Sequence, residues 1–225
     1  MTTHQLADLT ELRAGDILLC YKDVKIDPVG KKITRVTDSE YTHAAICIDA
    51  NTAAESLTQR GVTKTKIQDL VGRYDHVAVF RQPDAWHPDD RVKALNIFID
   101  SIISSKAKYN FQDVLTFRKR HKIHKLSLSE QLQAFFEGRL APSPIEKGSY
   151  FCSELVADCF VASGFIEPSA AIVYKSNVTS PGALGRDPTF GTFYGYVSLV
   201  PDYAVPSADE FVNETKYSEI FGANT

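Results

Sequence analysis

Five short apolar runs crowd into the first third of the chain, at 17–21, 41–49, 52–57, 61–67 and 76–81. They are rich in β-branched and small apolar residues and bounded by turn formers such as Ala14-Gly15-Asp16 and Asp49-Ala50-Asn51, the pattern of strands. Neighbouring parallel strands need a crossover of a dozen residues or more. Runs this close predict an antiparallel sheet, with 52–57 returning on 41–49 as a hairpin.

Beyond the sheet the period changes. Val92, Leu95, Ile99 and Ile102 follow helical spacing behind Asp89 and Asp90, which predicts a helix over 89–105. A second helix is expected over 129–139, with Leu132, Phe135 and Phe136 on its apolar face, and a third from Cys152. Leu155, Val156, Cys159, Phe160 and Ala162 give the third its apolar side, Gly148 and Ser149 are read as its cap, and Ser163-Gly164 ends it. A short helix is placed near 32–37, a loop at 106–115, and a last strand at 193–200. The reading is one α+β domain over 1–225. It carries an insertion at 116–147 and a loosely packed tail from 201, where five acidic residues face one basic.

Composition narrows the function. A net charge of −3 with 44% hydrophobic and 24% charged residues is ordinary for a globular domain and gives no reason to expect nucleic acid as partner. Residues 1–12 lack an apolar core run, so no signal peptide or transmembrane segment is read and a cytoplasmic location is expected. The four cysteines form no C-x-x-C pair. Cys20 and Cys47, in apolar runs, read as small buried residues, and no structural metal site is expected.

Cys152 is different because it begins a helix. There the macrodipole favours thiolate, and free backbone N–H groups can hold a developing oxyanion. Such a nucleophile needs a base, and the base an orienting group. Of six histidines, His4 lies near the terminus, His87 in a Pro-rich loop, and His121 and His124 in the insertion. His43 and His76 remain, both at strand starts. A hairpin centred on Ala50 sets Glu55 opposite Ala45 and diagonal to His43, within reach of its imidazole. Glu55 also interrupts an otherwise small and apolar strand, and orienting the ring through Nδ1–H gives it a purpose. Alone, each of the three fits a structural role; together they outline a site.

The pattern Tyr41-Thr42-His43-Ala44-Ala45-Ile46, with Glu55 after it and Tyr150-Phe151-Cys152-Ser153-Glu154-Leu155 much later, resembles the circularly permuted NlpC-type papain-like cysteine hydrolases, also called YiiX-like. Leu12-Arg13-Ala14-Gly15-Asp16-Ile17, Lys108-Tyr109-Asn110-Phe111 and Thr179-Ser180-Pro181-Gly182-Ala183-Leu184 resemble further segments of that family. The resemblance spans most of 12–82, 106–115 and 148–185. It implies a papain-like α+β fold, an antiparallel sheet or half-barrel with the nucleophile helix packed against it. It makes Cys152 the nucleophile, His43 the base, Glu55 the orienter and Tyr109 an active-site hydroxyl near the oxyanion. The implied chemistry is hydrolysis of a peptide or amide-bearing small molecule without metal or organic cofactor. Two alternatives stand beside it: a lipid acyltransferase or thioesterase, and a non-catalytic binding domain of the same fold.

The insertion holds five positive charges, Arg118, Lys119, Arg120, Lys122 and Lys125, within 118–125. It reads as a solvated loop or as a contact for an anionic surface or membrane. The spacing His121-x-x-His124 invites a metal but offers no third ligand, and Phe135-Phe136 could form a dimer contact.

Overall fold

The apolar runs pair as their closeness in sequence predicts. The computed structural model describes residues 6–23, 34, 37, 39–83, 89–167 and 170–222. Among them β1 (Ile17–Tyr21), β2 (Tyr41–Cys47), β3 (Thr52–Leu57), β4 (Gly61–Lys66), β5 (His76–Arg81) and β8 (Thr192–Val197) form one sheet in the order β4-β3-β2-β1-β5-β8. Every pairing in it is antiparallel. The expected hairpin is present with the expected register, Ala45 opposite Glu55. The helix expected near 32–37 falls on residues outside the described set, save Thr34 and Thr37.

Both faces of the sheet are covered, so side chains of either parity are apolar. Ile17, Leu19, Ala44, Ile46, Ala54, Ala78 and Phe80 belong to the larger core. Against it pack α2 (Asp89–Ser104) through Leu95, Ile99 and Ile102, and α4 (Cys152–Ala162) through Leu155, Val156, Cys159 and Phe160. The opposite parity, Leu18, Cys20, Ala45, Cys47, Ala53, Val77 and Val79, packs on Leu12 and on α1 (Ile67–Val71). All four cysteines are free and buried. Gly61, at φ +68°, is where β4 passes closest to the chain ahead of the site: a Cβ there would stand 2.1 Å from the Ala107 carbonyl oxygen, which accepts from Val62 N–H instead.

Three expectations are corrected. The loop expected at 106–115 and the separate helix expected at 129–139 are instead a two-residue strand, β6 (Lys108–Tyr109), and one long helix, α3 (Phe111–Phe136). Asn110 starts α3 by accepting the Asp113 N–H on Oδ1 at 3.1 Å. The sequence then runs without Gly or Pro to Gly138, so nothing stops the helix through the basic stretch. Gly148 and Ser149 do not cap α4. Ser149 belongs to β7 (Ser149–Tyr150), parallel to β6, and the cap is Phe151, whose N–H donates to Glu154 Oε2 at 3.3 Å. The far end of α4 is as expected, with Gly164 at φ +72°.

The segment from 201 is largely exposed but is anchored to the rest of the chain at three buried residues. Asp209, Phe211 and Tyr217 are buried, the last in α6 (Tyr217–Phe221). Asp209 accepts from the hydroxyls of Tyr41 (2.9 Å) and Tyr196 (2.6 Å) and from Phe211 N–H (3.0 Å), and faces His76 Nε2 at 3.1 Å. α5 (Pro181–Arg186), capped by Ser180, contacts both α4 and the sheet strands β1 and β2. No helix among the described residues is long and apolar enough to cross a membrane.

Candidate active site

The site forms where α4 begins against β2. Alternation puts His43 and Glu55 on the sheet face shared by Ala45, Cys47 and Ala53. The thiol arrives in the first turn of the helix packed on the other face, which is held by Ser56 Oγ donating to the Tyr150 carbonyl at 2.8 Å and by Asn110 N–H donating to the same oxygen at 3.0 Å. Cys152 and His43 are 4% and 7% exposed, so their electrostatics are little screened by water.

His43 Nε2 lies 2.9 Å from Glu55 Oε2. Glu55 was expected to hold Nδ1; the ring is turned the other way, which leaves Nδ1 for Cys152. Tyr74 fixes the plane, its ring parallel to the imidazole at 5.9 Å with 8° between planes. Glu55 is fully buried and its remaining acceptor capacity is filled. Thr65 Oγ1 donates to Oε1 at 2.6 Å, and Arg73 Nη2 lies 2.7 Å from each oxygen.

Burial opposes the charge on each of the three groups, and their mutual contacts overcome it. Desolvation pushes the Cys152 thiol up, but the His43 imidazole and the N–H groups of Ala44 and Ser153 bring its pKa below the ordinary thiol value. Desolvation likewise works against imidazolium, yet Cys152 and then Glu55 push His43 up to about 9. Glu55 is taken down to about 2, against its own burial, by His43, Thr65 and Arg73. These contacts favour the row thiolate–imidazolium–carboxylate, closed by a guanidinium. Charge alternates along the row, which is what allows it to be buried.

Tyr109 stands beside these groups. It pairs with Tyr150 across β6 and β7 and packs on Val114, Phe117 and Phe151. Burial first, and the nearby Cys152 second, push its phenol well above the ordinary range, so the hydroxyl keeps its proton. His76, the competing histidine, is committed to Asp209 and to Tyr203, whose hydroxyl lies 2.9 Å from Nδ1. His121 and His124 each turn a ring nitrogen to a backbone carbonyl, that of Val178 at 3.1 Å and Val173 at 3.2 Å. No cluster of metal-binding side chains occurs among the described residues.

Thr65, Arg73 and Tyr74 complete the site and were missed in the sequence. Thr65 had a signal: it sits opposite Ala53 in β4, diagonal to Glu55 on the same face. Arg73 and Tyr74 had none, because the turn after α1 brings them back only in three dimensions. A second polar cluster supports the helix itself. Lys147 Nζ donates to Glu154 (2.9 Å), Asp158 (2.7 Å) and Ser176 (3.0 Å). Burial dominates these carboxylates; Asp158 is pushed up to about 7.

No protein-family model matches the chain, and a search of curated proteins finds no match either.

Proposed function

We propose that the protein is a cysteine hydrolase acting on an amide or peptide bond. The observation that carries this reading is the row Cys152–His43–Glu55, with the thiol brought below its ordinary pKa by the imidazole. The Cys152 thiolate attacks the carbonyl carbon. The resulting oxyanion lies near the first-turn N–H groups of α4, with the protonated Tyr109 hydroxyl as a further donor. Imidazolium gives its proton to the leaving nitrogen, the C–N bond breaks, and an acyl-enzyme remains. Neutral His43 then takes a proton from water, hydroxide adds to the thioester, and collapse releases the carboxylic acid and restores the ion pair. Glu55 holds the ring and compensates its charge throughout, without accepting the proton. The chain's own groups balance each step, so the mechanism uses no metal or organic cofactor.

The permuted papain-like identity of the fold belongs to the same proposal. Its support is the chain order, base strand and carboxylate first and nucleophile helix later, on an antiparallel sheet. A second reading shares the acyl-enzyme but differs in its substrates: a lipid acyltransferase would pass the acyl group to an alcohol or amine, and a thioesterase would form the acyl-enzyme from a thioester, expel the thiol and resolve it with water; the apolar and basic outer side of α3 favours it.

The test is the pH dependence of iodoacetamide labelling at Cys152. The expected apparent pKa is well below the free-thiol value of about 8.5, and His43→Ala moves it upward. A folded protein whose Cys152 labels with an ordinary thiol pKa, unchanged by His43→Ala, would end this reading and leave a binding domain of the same fold.

A further inference from the structure

The long helix α3 has two faces of different chemistry. Val114, Phe117 and His124 are buried, and Phe117 lies edge-on to Phe151, the residue before Cys152, at 6.2 Å and 85°. The outer face carries Leu115, Ile123 and Leu126 at 48%, 53% and 75% exposure. Lys119, Lys122 and Lys125, also exposed, lie among them. Positions 115, 119, 122 and 126 repeat at helical offsets, so leucine and lysine share one stripe.

Two features separate this stripe from an ordinary solvated helix face. No Asp or Glu occurs between Asp113 and Glu130, so the lysines lack the acidic neighbours at three and four residues that usually pair with them. The one acid at its start, Asp113, is taken by Arg120 at 2.6 Å. The chain as a whole carries −3, which makes the positive stripe a local feature. Nucleic acid would use the cations and leave three large aliphatic side chains in water. A bilayer surface uses both: lysine stems reach to the headgroups while Leu and Ile enter the acyl boundary.

We infer that the outer face of α3 docks on an anionic lipid surface. Docked in this way, the helix brings the chain around Cys152 to within about one helix diameter, ~10 Å, of the headgroups. The docking is independent of the chemistry proposed for the thiol.

The test is co-sedimentation of the full chain with phosphatidylcholine vesicles, with and without phosphatidylserine. Binding is expected only with phosphatidylserine, and weaker in high salt. Replacing Lys119, Lys122 and Lys125 by Gln together should weaken it about 100-fold, roughly fivefold for each lysine. Ile123→Ser with Leu126→Ser should weaken it a further several-fold, with the melting temperature unchanged because these side chains are exposed. Three results would each overturn the inference: no binding to anionic vesicles at low salt, equal binding to neutral vesicles, or full binding by the variant with Gln at 119, 122 and 125. A fourth is binding that survives both serine substitutions and is matched by heparin, which would assign the stripe to a soluble polyanion.

Discussion

His43 Nε2 and Glu55 Oε2 meet at 2.9 Å across a hairpin that pairs Ala45, not His43, with Glu55. The diagonal separation is what allows a ring and a carboxylate to fit end to end between two strands. Because Glu55 is fully buried, its charge depends on this contact and on Thr65 and Arg73.

Glu55→Gln should cost about 3 kcal/mol at pH 7, from a carboxylate held at about 2 in place of its ordinary 4.5. A depressed carboxylate stabilises above its unfolded pKa, so the margin over the variant is full above 4.5 and vanishes as pH falls towards 2. Urea unfolding of both proteins between pH 3 and 7 checks this. A margin independent of pH would mean that the carboxylate charge does not matter to folding.

His43 gives the opposite limb. Its pKa is raised from 6.5 to about 9, so its contribution is complete below 6.5 and lost as pH rises through 9. Alkylation of Cys152 should therefore report a thiolate that persists well below the ordinary thiol pKa. In Glu55→Gln, labelling at pH 6 should slow by roughly tenfold, as the imidazolium loses a compensating charge.

Arg73→Met should raise the Glu55 pKa by about one unit or more and destabilise the fold by about 2 kcal/mol, since a buried carboxylate loses a charged donor. Arg73→Lys should recover only part of the loss, because an ammonium is more strongly hydrated than a guanidinium and costs more to bring against a buried carboxylate. The diagnostic readout is the acid limb of Cys152 labelling, which should move upward in Arg73→Met. A stability loss with an unmoved labelling profile would confine Arg73 to a packing role.

Lys147→Met leaves Glu154 and Asp158 buried without their shared cation. The expected loss is about 3 kcal/mol at pH 8. Asp158 is already raised from 3.8 to about 7, so the folded variant retains a proton that the unfolded chain releases, and the loss should shrink as pH falls below 7. Denaturant midpoints at pH 5 and pH 8 distinguish this from a simple cavity effect, which would be equal at both.

Asp209→Ala should cost about 3 kcal/mol or more, because two phenol hydroxyls, one N–H and the His76 ring lose a common partner. Removal of 201–222 should abolish cooperative unfolding by circular dichroism. A truncated chain that melts as the full one does would show that this segment only decorates the surface.

The sheet was legible because its strands are short, close and bounded by turn residues, so that even the Ala45–Glu55 register follows from the hairpin. Cys152, His43 and Glu55 were legible only together: Glu55 interrupts a small apolar strand, the hairpin register sets it diagonal to His43, and Cys152 begins a helix. What failed were judgments that rest on tertiary context. The basic stretch looked like loop because charge resembles exposure; with no Gly or Pro to break it, it is helix. The acidic tail looked loosely packed because Asp209 gives no local sign of its two partners far up the chain, Tyr41 and His76. Arg73 was hidden for the same reason, and the ring orientation of His43 is a matter of rotamer that spacing does not encode.

The contact between Asp209 and Tyr41 spans 168 residues, and Tyr41 lies two positions ahead of His43. The ribosome therefore delivers the base early, the thiol later and this clasp last. Contacts of such separation form slowly, and a nascent chain ending near residue 200 holds every member of the Cys152–His43–Glu55 row yet lacks the group that pins the strand carrying the base. The clasp on the strand that carries His43 is thus the last part of this arrangement to be made.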